Sequence, residues 1–207
     1  MLIPDKKYFK NLIKPLAYAL SYYTFIIGTY SIFNRIIVPR YEIYFFLDDY
    51  IPFVEEMLIP YLLWFPYISL PALFFLLFSK KNFYQFYNFM YIATLLCFII
   101  YYLFPNGQSL RPETLGENVF SRGLAILYSI DQPTNVLPSM HVLNSLAIHF
   151  AFLNCEYTRN KKIVVNISLI LLILITLSTM MIKQHSILDV LASLIIGALL
   201  YRPIFKS

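Results

Sequence analysis

The feature that most limits what this chain can fold into is a series of long apolar segments. The cleanest is "IVVNISLILLILITLSTMMI", Ile163 to Ile182. Roughly 20 such residues, wound as a helix, cover the ~30 Å of hydrocarbon in a bilayer. Five further segments fit the same requirement, so six spans are expected, at about 16–36, 57–78, 83–104, 138–155, 163–182 and 185–203. The fourth is marginal because it carries Ser139, His141, Asn144, Ser145 and His149. Polar groups at membrane depth ordinarily face the protein interior or a wet cavity. The chain is 59% hydrophobic and only 13% charged, which excludes an ordinary soluble domain. The expected architecture is an all-α integral membrane six-helix bundle. No repeat or low-complexity linker divides it, so residues 1–207 read as one domain.

A net charge of +5 can point to nucleic acid, but here the basic residues cluster beside the apolar runs. Membrane topology explains them, and no nucleic-acid partner is expected. With the N-terminus on the cytoplasmic side, that side receives Lys6, Lys7, Lys10, Lys14, Lys80, Lys81, Arg159, Lys161, Lys162, Arg202 and Lys206. The opposite side holds Arg35, Arg40, Arg111, Arg122 and Lys183, with Asp48, Asp49, Glu55 and Glu56 in its first long segment. Both termini are therefore expected in the cytoplasm of a multi-pass cell-membrane protein. The first apolar run follows a basic N-terminus but is long and lacks a small-x-small cleavage site, so it reads as a retained span. Cys97 and Cys155 lie in apolar surroundings without paired spacing, which predicts neither a disulfide nor a structural zinc site.

On this topology the unusual polar residues gather at the outer end. Arg111 lies just beyond span three, Ser139 and His141 at the start of span four, and Lys183, His185 and Asp189 at the start of span six. Residues four apart share a helix face, so the Asp189 carboxylate can accept from one ring nitrogen of His185. That bond sets the tautomer and leaves the other nitrogen free as nucleophile or base. Pro138 suits a helix start, Ser139 can cap it or bind an anion, and His141 can protonate a leaving oxygen. Arg111 offers a planar fork for phosphate oxygens, and Lys183 adds charge beside the backbone N–H groups of the next helix start. Two His and one Asp could ligate zinc, but the chain lacks a His-x3-His pair and a further carboxylate at that depth, so neither metal nor cofactor is expected.

Three stretches, "RP" after span three, "DQPTNVLPSMH", and Ser178-Thr179-x5-His185-x3-Asp189, resemble the signature motifs of the type 2 phosphatidic acid phosphatase (PAP2) superfamily, especially its branch with inositol phosphorylceramide synthases. The resemblance implies a PAP2-like fold, with His185 as nucleophile, Asp189 orienting it and His141 as general acid. It further implies that Arg111, Ser139 and Lys183 bind the phosphoryl oxygens. Three positions depart from the pattern: Phe104 stands where the family has a lysine, Thr179 where it has an arginine, and Met140 where it has a glycine. The expected activity is hydrolysis of a lipid phosphate monoester or diphosphate through a phosphohistidine, with the site at the outer leaflet. A transferase that uses an alcohol in place of water would employ the same histidines, and a His/Asp relay in a transporter is a third possibility. The almost purely apolar spans two and five count against the relay. His149 reads as an interior histidine, Arg122 as a solvated charge, and Asp131 and Asn135 as loop structure.

Overall fold

A computed structural model describes residues 12–206. The N-terminal lysines Lys6, Lys7 and Lys10 lie outside that range. Helix α1 spans Ile13–Ile36, with Pro15 in its first turn, where no intrahelical N–H is needed. The second rod is broken into α2 (Leu58–Leu62) and α3 (Trp64–Phe78). Pro66 has no N–H to return to the Leu62 carbonyl, which accounts for the break at Leu63. Ser79, with φ −150° and ψ 83°, ends α3 and turns the chain directly into α4 (Lys80–Leu103). Then come α5 (Val119–Ile130), α6 (Met140–Asn154), α7 (Lys162–Met181) and α8 (Ile187–Phe205).

The fold is all-α apart from two short parallel strands, β1 (Tyr41–Glu42) and β2 (Asn106–Gly107). Five helical stretches are long and apolar enough to cross a membrane: Ile13–Phe33, Glu55–Phe78, Lys80–Leu103, Lys162–Met181 and Ile187–Phe205. The expected fourth span differs. Helix α6 has 15 residues and at 1.5 Å per residue reaches only about 22 Å. It is instead the interior strut of the bundle, packed against α3, α4, α7 and α8. Asn144, Ser145 and His149 are buried on it along with Val142, Leu143, Ala147, Ile148 and Ala151, so its polar groups face the protein interior. A Cβ on Gly197 of α8 would come within 2.5 Å of Leu146 Cδ1, so glycine permits the close approach of α8 to α6.

The connections 37–57, 104–118 and 131–139 meet at one end of the bundle. Buried Asn106 binds the last of them. Its Oδ1 accepts from Val136 N (2.8 Å) and Leu137 N (2.9 Å), and its Nδ2 donates to Leu137 O (3.1 Å). The Tyr101 hydroxyl donates to Pro138 O at 2.6 Å. These bonds fix the chain just before the residues that carry His141.

Candidate active site

Helix α8 begins with a reciprocal cap. Ser186 Oγ accepts from Leu188 N (3.2 Å), while Asp189 Oδ2 accepts from Ser186 N (2.9 Å). The same Asp189 oxygen lies 3.0 Å from His185 Nδ1. Asp189 is fully buried and His185 nearly so. A proton on Nδ1 donated to Asp189 leaves the Nε2 lone pair free. The His185 backbone N–H donates to Thr179 O (3.0 Å), as does that of Gln184 (2.9 Å), so the end of α7 holds the turn. Thr179, at the position of the family's arginine, is buried in this structural role, and its own hydroxyl donates to Thr176 O.

His141 occupies the first turn of α6, between Tyr61 and Trp64, with ring centroids 4.8 and 4.6 Å away. Its ring is 5.7 Å from that of His185, inclined at 62°. The two imidazoles are too far apart to bond each other, yet one phosphoryl group between them would be within reach of both. They share a cavity of about 690 Å³. Its polar end includes Asp131, Asn135, Asn144 and Gln184, and it extends along Tyr22, Ile26 and Ile27 of α1 and Phe65 and Ile68 of α3. Ile27 and Phe65 are 63% and 56% exposed, so the apolar arm opens sideways between α1 and α3.

The other expected site residues are placed differently. Ser139 is buried as the N-cap of α6, its hydroxyl accepting from Val142 N (3.4 Å) and its N–H donating to Ser193 Oγ (2.8 Å). It is not among the cavity-lining residues. Lys183, with φ 56°, turns its ammonium to the carbonyls of Asp48 (3.0 Å) and Ile51 (2.7 Å). It lines a second cavity with Glu42, Tyr44 and Asp48 instead of the one containing the histidines. Burial pulls its pKa down, and Asp48 and Asp49 oppose that shift. Arg111 lies behind the cavity wall over the Tyr128 ring (4.1 Å). It donates to the carbonyls of Tyr128 and Asp131 and to Gln184 Oε1, while its Nε is buried without a protein partner. Burial lowers its pKa, and Asp131 acts against that. Phe104, at the family's lysine position, stacks on Tyr41 with centroids 4.1 Å apart.

Two loop residues belong to the site. Asp131 lines the cavity and accepts from Tyr30 (3.1 Å), Tyr61 (3.1 Å) and Gln184 (3.3 Å). Asn135, with φ 57°, also lines it, and both atoms of its buried side-chain amide lack a partner. Their position within ten residues of His141 was the available signal; their turn-forming character concealed it. Asp48 had no comparable signal. Buried in the first outer connection, it accepts from Ser186 Oγ (2.6 Å) and Ile187 N (2.9 Å) and so anchors the start of α8. His149 hydrogen-bonds Ser168 Oγ at 3.1 Å deeper in the bundle, and Arg122 is exposed. Among the described residues, no group of three or more His, Cys, Asp or Glu side chains is arranged to hold a metal ion.

Comparison with curated proteins and with solved structures finds no match for this chain. A family model described as PAP2 superfamily matches residues 108–207, the segment carrying Arg111, Ser139, His141, Lys183, His185 and Asp189. The match does not distinguish the branch of inositol phosphorylceramide synthases. The five long apolar helices indicate a multi-pass membrane protein, and its PAP2 segment implies phosphatase-like chemistry on a phosphate ester. Residues 108–207, just under half of the chain, are thus similar to the PAP2 superfamily.

Proposed function

We propose that the protein hydrolyses a lipid phosphate ester, in the simplest case a monoester or diphosphate, through a phosphohistidine on His185. The observation that carries this reading is the His185–Asp189 pair facing His141 in a cavity with a lateral apolar arm. A lipid enters headgroup-first between α1 and α3, so that its phosphate reaches the polar end and its tail lies in the apolar arm. His185 Nε2 attacks phosphorus as the bond to the lipid oxygen breaks, and His141 gives its proton to that oxygen. Asp189 stabilises the positive charge that develops on His185. In the second step His141 takes a proton from water, whose oxygen attacks phosphorus and frees His185. An alcohol in place of water would make the same site a transferase.

The orientation proposed from the charge pattern puts both termini in the cytoplasm and the site at the outer leaflet. The helix ends support it. Lys80, Lys81, Lys161, Lys162 and Lys206 lie at the ends of α4, α7 and α8 remote from His141 and His185. The test is phosphate release from lipid monoesters and diphosphates by purified protein in detergent. Turnover should survive excess chelator, fall with vanadate, and disappear in His185→Ala. Wild-type protein that releases no product from any lipid phosphate ester would refute the proposal.

A further inference from the structure

The polar end of the cavity is unusual in its charge. Among the described residues lining it there is no lysine or arginine, and Asp131 supplies a carboxylate. Arg111 does not line the cavity and offers a phosphate no direct contact, because its two terminal nitrogens are engaged by the Tyr128 and Asp131 carbonyls and by Gln184. A bare phosphate dianion would meet a charge of its own sign. An ionised carboxylate has about four acceptor positions, and Tyr30, Tyr61 and Gln184 occupy three of them on Asp131. Beside it, Asn135 keeps an unpartnered donor and an unpartnered acceptor, both buried. Buried polar groups ordinarily have partners, so an Asn amide of this kind marks a place where a ligand completes the bonding.

We propose that Asp131 and Asn135 form a headgroup subsite that selects a lipid phosphodiester whose headgroup bears a hydrogen-bond donor, an ammonium or a hydroxyl. The donor takes the remaining acceptor position of Asp131 or the Asn135 carbonyl, and the Asn135 N–H group binds a phosphate or headgroup oxygen. A diester carries one negative charge, which reduces repulsion from Asp131. This rests on the phosphate-ester reading and extends its substrates to diesters. In their cleavage the His185–phosphorus bond forms as the bond from phosphorus to the lipid oxygen breaks, and His141 protonates that oxygen. Water then attacks phosphorus, returns a proton to His141 and releases the phosphorylated headgroup.

Binding tests the subsite independently of turnover, because Trp64, the chain's one tryptophan, lines the cavity and reports its occupancy by fluorescence. The His185→Ala protein in detergent is titrated with short-chain phosphatidylethanolamine, phosphatidylglycerol, phosphatidylmethanol and phosphatidic acid. The ethanolamine or glycerol diester should bind about tenfold tighter than the methyl diester, as expected for a bond to a charged acceptor. Which of the two does so identifies ammonium or hydroxyl as the donor. Asp131→Asn should abolish that preference without moving the methyl diester, and separately Asn135→Gly, which tolerates the positive φ, should abolish the preference as well. Equal binding of all three diesters, tighter binding of phosphatidic acid, or a preference that survives both substitutions would overturn the proposal. If the preference holds but no lipid is cleaved by the wild type, the hydrolase reading fails and the subsite stands.

Discussion

Asp189→Asn separates an oriented nucleophile from a merely buried histidine. Asp189 Oδ2 accepts from both His185 Nδ1 and Ser186 N, at 3.0 and 2.9 Å, while Oδ1 has no protein partner. An asparagine can place its carbonyl oxygen at Oδ2 and its amide nitrogen at Oδ1, keeping both bonds but removing the charge. The difference between a charge-assisted and a neutral hydrogen bond is about 1–2 kcal/mol, and it is felt most when His185 becomes positive. That corresponds to roughly a 5- to 30-fold fall in turnover. If the amide turns the other way, its N–H opposes the Nδ1 proton and the wrong tautomer results, with losses approaching about 10⁴-fold. Because Asp189 also caps α8, up to about 1 kcal/mol of stability is expected to be lost as well. The assay is single-turnover formation of phosphohistidine, with the thermal transition in detergent measured in parallel. A folded variant that forms the phosphoenzyme at the wild-type rate would refute the orienting role.

Other substitutions test the supporting structure. Asp48→Ala leaves Ser186 Oγ and Ile187 N without their acceptor; about 1–3 kcal/mol of stability per unsatisfied group is expected to be lost, together with turnover, by denaturation and rate measurements. Lys183→Met removes the ammonium's bonds to Asp48 and Ile51; it should lower the thermal transition while leaving the KM for lipid phosphate unchanged. Gly197→Val forces side-chain atoms against Leu146, and overpacking of about 1–3 kcal/mol should separate α6 from α8 and slow turnover. His149→Ala breaks the bond to Ser168 deeper in the bundle, outside the cavity, so turnover should persist with a stability loss of about 1 kcal/mol.

Much of the fold was legible because bilayer thickness and helical rise leave few solutions for long apolar segments. Helices at Ile13–Ile36, Lys80–Leu103, Lys162–Met181 and Ile187–Phe205 follow from hydropathy and their breakers alone. The His185–Asp189 bond was legible for a similar reason: four-residue spacing on a helix is local geometry. Long-range packing decided the rest. Only the tertiary structure makes α6 an enclosed strut, brings His141 against Trp64 and His185, and seats Asp131 and Asn135 in the cavity. It also turns Lys183 toward the carbonyls of residues more than a hundred positions away. A residue's type and spacing determine which bonds it can form; which partner it meets depends on segments that approach only when the bundle closes.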